Sequence, residues 1–301
     1  MTASCTFLFI MLSLFLCNYQ SDKSINKTVV AINYNLSEPD KIYILPNALK
    51  EVSGIAEADA SSIACIQDEK GIVFIYDLVK EQVKKEYPFH NSGDFEGIAR
   101  VDKTIYILRS DGILFGIENY ESAASATKSY ATGIPAKDNE GLCFDRQGNR
   151  LLIAPKNNYT TDSHKKNNRM IYAFDLKSKK MIETPAFVFD LKKIKKFASE
   201  NKIKVPMKKD NKGDKKEIDI EFRPSEIAIH PLTNKLYVLS GMERLLFVFN
   251  MNGEIEYIQK LDPDLFSQPE GITFMNNGDM LISNDVKNNK PALLRFNYIR
   301  K

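Results

Sequence analysis

The chain has 301 residues, of which 43% are hydrophobic, and its 42 Lys and Arg against 39 Asp and Glu leave a formal net charge of +3. That length and apolar content suffice for one large core. Four Cys and three His, with no CxxC pair, provide no Cys/His set at zinc-binding spacing.

Residues 7–16 are almost wholly apolar. Ten residues are too few to span a bilayer as a helix, but they suit the apolar core of a secretion signal. Cys17 follows directly, and the polar residues 18–27 follow it. That order resembles a bacterial lipoprotein signal with Cys17 as the acylated first mature residue, although Leu16 is larger than expected and residues 1–6 carry no Lys or Arg. The division expected is a signal over 1–17, a linker over 18–27 and a single domain over 28–301. The alternative for the N-terminus is an uncleaved anchor ending in a flexible linker.

Beyond the linker a short phrase returns five times. It reads Val52-Ser53-Gly54-Ile55-Ala56, Phe95-Glu96-Gly97-Ile98-Ala99, Asn139-Glu140-Gly141-Leu142-Cys143, Pro224-Ser225-Glu226-Ile227-Ala228 and Pro269-Glu270-Gly271-Ile272-Thr273. The second residue of each falls at 53, 96, 140, 225 and 270, steps of 43, 44, 85 and 45. A period near 44 marks repeated units, each too small to bury its own apolar face. After each phrase come short apolar runs divided by turns. In the second repeat the runs are 97–101, 104–108 and 113–117, with Ser110-Asp111-Gly112 between the last two. In the fifth they are 271–274, 279–283 and 292–298, with Asn276-Asn277-Gly278 as the first turn. Such runs read as antiparallel strands. Three or four strands per repeat make a propeller blade. The expectation is an all-β, five-bladed β-propeller. A sixth, degenerate blade and a β-sandwich are the alternatives. The fifth blade has only three runs, so residues 28–35 or 41–45 are expected to supply its outer strand and close the ring, which removes sheet edges. With no Trp, Phe and Tyr must fill the space between blades.

The 85-residue step holds about 41 extra residues without another phrase. Residues 192–217 carry eleven Lys against four acidic residues, and 191–199 read as helical. This is expected to be an insertion in blade three, over about 191–217. One reading is a solvated, partly mobile loop; the other is a basic arm for anionic lipid or another polyanion. Phe197 is the only aromatic residue between Phe189 and Phe222, so no stacking platform for nucleic acid is evident and no nucleic-acid partner is expected. Cys65 and Cys143 lie inside apolar runs and are expected to be buried free thiols.

Inner strands of a propeller start near the central channel, so equivalent residues form a ring. That ring is Ser53, Glu96, Glu140, Ser225 and Glu270, with Glu226 beside it. The ends of the second strands, expected to reach the same face, offer Asp68, Arg109, Lys156, Ser240 and Asn284. Carboxylates around one mouth repel each other unless a cation compensates. In one reading Arg109 and Lys156 neutralise the ring. In the other Glu96, Glu140 and Glu270 bind a hard cation, Ca²⁺ or Mg²⁺. A small-ligand or catalytic site is a third. A Ser-His-Asp set finds little support: His90 precedes a phrase, His164 sits in a polar loop, and His230 falls toward the opposite face.

The phrases around Glu96, Glu140 and Glu270, with Ser225-Glu226-Ile227-Ala228 and Leu236-Tyr237-Val238-Leu239-Ser240, resemble the SdiA-regulated family of bacterial envelope proteins. The resemblance covers about residues 45–299. It implies a propeller at the cytoplasmic membrane or exported as a lipoprotein, with no defined biochemical activity; the Lys-rich insertion departs from the family pattern. More distantly, the Glu-Gly phrase is similar to that of calcium-dependent phytases and senescence-marker-type lactonases, but a full ligand set for either is missing. The expected function is a binding module of the envelope, membrane-associated through its N-terminus, taking a small molecule or protein at the Glu-ringed face. The rival is a Ca²⁺-dependent hydrolase of phosphoesters or lactones at that face.

Overall fold

The computed structural model describes residues 32–122, 125–157, 167–209, 216–285 and 290–300. Cys17, His164 and the first part of 28–35 lie outside them. Five four-stranded antiparallel sheets follow one another as the blades of a propeller. Blade one is β2 (Val52–Asp59), β3 (Ser62–Gln67), β4 (Lys70–Asp77) and β5 (Gln82–Ser92); blade two is β6 (Phe95–Val101), β7 (Thr104–Arg109), β8 (Ile113–Glu118) and β9 (Ala126–Ala131). Blade three is β10 (Asn139–Asp145), β11 (Arg150–Pro155), β12 (Asn168–Asp175) and β13 (Lys180–Asp190); blade four is β16 (Glu226–Ile229), β17 (Leu236–Ser240), β18 (Leu245–Phe249) and β19 (Ile255–Lys260). Blade five combines β20 (Pro269–Phe274), β21 (Met280–Asn284) and β22 (Ala292–Phe296) with β1 (Lys41–Ile44). The N-terminal strand thus closes the ring, paired from Lys41↔Arg295 to Ile44↔Ala292. Of the two segments expected for this role, 41–45 holds it; no sixth sheet of blade type is present among the described residues.

The repeated phrase acquires a physical meaning here. Its fourth residue packs into the interface behind its blade, and its fifth into the interface ahead. Ile55 joins a cluster with Tyr43 and Leu293 of blade five, whereas Ala56 joins one with Ile98 and Phe115 of blade two. Ile98 and Ala99, Leu142 and Cys143, and Ile227 and Ala228 divide in the same way. A strand buried on both faces needs no polar alternation, which is why the phrase reads as continuously apolar. Each of the five interfaces carries Phe or Tyr in place of Trp. Examples are Phe189–Phe249, with ring centroids 4.3 Å apart, and Tyr237–Phe274 at 4.9 Å. Cys65 and Cys143 are buried free thiols, as expected.

The insertion is more than a solvated loop. Asp190 accepts a hydrogen bond from Lys192 N at 2.9 Å and so caps helix α1 (Leu191–Glu200). Leu191, Ile194, Phe197 and Ala198 face inward at helical spacing and join the core between blades three and four. The lysines at 192, 193 and 196 lie on the exposed side. A short hairpin follows, β14 (Met207–Lys209) against β15 (Lys216–Ile218). Ile220 and Phe222 then return to the same core.

Candidate functional site: the acidic end of the channel

The third position of the phrase sets the geometry of the channel. In four blades it is glycine, because the next inner strand comes too close for a side chain. A Cβ on Gly97 would lie 2.6 Å from the Glu140 carbonyl oxygen and 2.6 Å from Leu142 Cβ. On Gly54 it would lie 2.9 Å from the Glu96 carbonyl oxygen. Blade four departs from this, with Glu226 in the glycine column. There the close approach to blade five passes to Gly241, whose Cβ would meet the Pro269 carbonyl oxygen.

Glu226 turns its carboxyl back toward blade three. Its Oε1 accepts from Leu142 N of blade three at 2.6 Å and from its own Ile227 N at 3.0 Å. The side chain is 1% exposed, and its Oε2 has no hydrogen-bond partner. Burial pushes this carboxyl well above the usual carboxylate range, and Glu140 and Glu96 push it further. Aligned as a column, the five phrases single out this residue as the one departure from glycine, although the sequence alone puts it beside the ring.

Around it stand the carboxyls expected from the sequence. Glu140 is buried and takes an ion pair from Lys156 at 2.7 Å. Burial still raises Glu140 to about 7 against the pull of Lys156. Glu96 is raised to about 9, by burial first and then by Glu140 and Asp94. Glu270 is raised by burial, and Asp68 is raised to about 6 by burial and by Glu51 and Glu69. Burial alone would lower the Lys156 ammonium, but Glu140, Asp138 and Glu270 raise it instead. This end of the channel therefore combines at least four desolvated carboxyls with one well-placed ammonium, and it retains protons near neutral pH.

The remaining expected ring members are otherwise engaged. Arg109 makes a two-pronged pair with Asp111, at 3.0 and 2.8 Å, so it is held by its own turn. Ser53 donates to the Phe95 carbonyl oxygen at 2.7 Å. Ser225 Oγ accepts from Gly241 N at 3.2 Å, and Ser240 donates to Glu243 at 2.7 Å. Asn284 accepts from Gln268 N and donates to the Leu265 carbonyl oxygen. These four polar groups tie strands and loops together. His230 is buried at the other end of the channel, its Nδ1 accepting from Leu232 N and Thr233 N, and His90 is exposed on β5.

Among the described residues no three His, Cys, Asp or Glu side chains are grouped to hold a metal ion. The carboxyl oxygens are of the type that hard cations prefer, and Glu226 Oε2 is a free donor, but they do not form a ready cage. No described helix is long and apolar enough to cross a membrane.

No protein-family model and no curated protein matches the chain. Solved structures do. The glutaminyl cyclase of Myxococcus xanthus is similar at 10% identity over 86% of this chain and 94% of its own, with a TM-score of 0.55. A streptogramin B lyase is similar at 12% identity over 85% of this chain and 97% of its own, with a TM-score of 0.49. At 10% identity the first likeness bears on the fold alone and says nothing about chemistry.

Proposed function

We propose that this protein is an exported, membrane-associated propeller of the bacterial cell envelope, of the SdiA-regulated family and anchored through Cys17. In this reading it is a binding module that takes a cationic ligand at the acidic end of its channel. The observation that carries the ligand class is the Glu226 carboxyl, buried beside Glu96 and Glu140 with one oxygen unpartnered. A buried polar atom without a partner costs about 1–3 kcal/mol, which a ligand donor would recover. The raised carboxyls supply the rest of the logic. They hold protons while the site is empty and release them when a positive charge arrives.

Calorimetric titration tests this with two probes, Ca²⁺ and the diamine putrescine, each in two buffers of different ionisation enthalpy. Binding of either should release protons and weaken on Glu140→Gln and Glu226→Gln. Binding of neither overturns the reading; binding of Ca²⁺ alone makes the ligand a metal ion. The hydrolase alternative draws on the same oxygens. It predicts turnover of phosphoester or lactone substrates that a chelator abolishes and Ca²⁺ restores. Anchoring is checked by fatty-acid labelling, which should be lost on Cys17→Ser.

A further inference from the structure

At the opposite end of the channel lies a cavity of about 460 Å³, lined by the C-terminal halves of the five inner strands. Its volume is in the range of small-molecule sites. The fifth phrase position gives it small walls, Ala56, Ala99, Cys143 and Ala228. Arg100 and Arg146 stand at its edge, one position beyond the phrase in blade two and three beyond it in blade three.

These two arginines differ from most others in the chain. Arg109, Arg150, Arg223 and Arg295 each pair with a carboxylate. Arg100 donates only to backbone, to the carbonyl oxygens of Glu57 at 2.9 Å and Asp102 at 2.9 Å. Arg146 lies over the Phe144 ring, 5.4 Å from its centroid, and is exposed. Neither has a described carboxylate within ion-pair distance. The one acid lining the cavity, Glu57, has Oε1 turned to accept from Asn276 N at 2.9 Å, and burial raises its carboxyl despite both arginines. The opening therefore holds two arginines without ion pairs beside one raised carboxyl, and small side chains, Ala56, Ala99, Cys143 and Ala228, line part of the wall among polar groups.

We propose that this cavity is a second binding site, for a small organic anion with a carboxylate on a compact apolar body. The acid group sits at Arg100 and Arg146, where guanidinium hydrogen bonds to a carboxylate are strong and directional. The compact body packs against the small side chains Ala56, Ala99, Cys143 and Ala228. The site is independent of the cation reading, because none of its residues belongs to the acidic end.

Fluorine NMR of the full chain with 4-fluorobenzoate, and with 4-fluorobenzylamine as the charge-reversed control, tests it. The benzoate should show saturable line broadening and the benzylamine should not. Arg146→Gln should weaken the benzoate by about tenfold or more, as loss of a charged hydrogen bond does; Arg146→Lys should retain part of the binding. Lys193→Gln, which removes a remote exposed charge on α1, should leave it unchanged. Thermal unfolding of each variant establishes that it is folded. Failure of the benzoate to bind, equal binding of both probes, or equal effects of Arg146→Gln and Lys193→Gln would each overturn the proposal.

Discussion

Blade four and its four sisters solve one problem in two ways. Where inner strands converge, the sisters use the phrase glycine and let backbone meet backbone; blade four hands its approach to blade five to Gly241 and places at the phrase position a carboxyl that reaches back to Leu142 N of blade three. Blade four is also the one entered from the insertion, whose helix α1 stays wedged against the interface with blade three. β13, on the outer edge of blade three, ends at the level of the acidic end, since it returns by antiparallel pairing to the level at which β10 begins, and β16 starts there with Glu226. An irregular blade thus coincides with the polar site. Departures from a repeat are where function can be added without changing the fold.

The comparison can be broken at several points. Phe197→Ala removes a ring shared by the insertion and two blades, and should cost about 3 kcal/mol in denaturant unfolding. A change under about 0.5 kcal/mol would return the insertion to a surface loop. Gly97→Ala pushes a methyl onto the Glu140 carbonyl and should cost about 1–3 kcal/mol. Gly141→Ala, where the nearest atoms are 3.1 Å away, should cost less. If the two cost the same, close strand approach is not what keeps the glycines. Glu226→Gly restores the common phrase but strips the acceptor from Leu142 N and Ile227 N, so it should destabilise by about 1–3 kcal/mol; a gain in stability would make Glu226 a pure liability held for binding.

A separate test varies pH. Glu96 and Glu140 bind protons more tightly folded than unfolded, from an ordinary value of 4.5 up to about 9 and about 7. Their contribution to stability is therefore fully present below about 4.5 and is lost as pH rises through 7 and then 9. With chelator present, the melting temperature should fall across that window, and Glu96→Gln should flatten its upper part. A melting temperature that climbs from pH 5 to 9 would mean the carboxyls are ionised and compensated.

The repeat made the fold legible. Five phrases, three of their four steps near 44 residues, mark every inner strand, and the lack of a further phrase in the 85-residue step leaves it without a blade of its own. The ring carboxyls were legible for the same reason. Position puts Arg109 on the ring, but the aspartate two residues away pairs with it, and local pairing of that kind outcompetes a distant ring. Ser240 and Asn284 were likewise taken by their own loops. The insertion read as polar because lysines dominate its composition, although Ile194 and Phe197 at helical spacing marked a buried face. The second cavity left no motif, because alanines record only what is missing.

The closure of the ring by β1 sets a timetable for the chain. Its partner β22 is about 250 residues away in sequence, so this pairing is among the most non-local contacts in the molecule. Until β22 has been made, β1 carries Ile42 and Ile44 on an unpaired edge, and both remain substantially exposed even afterwards. During synthesis the first four blades can stack in order while the N-terminal strand waits. A chain in that state presents an open sheet edge until the last blade arrives.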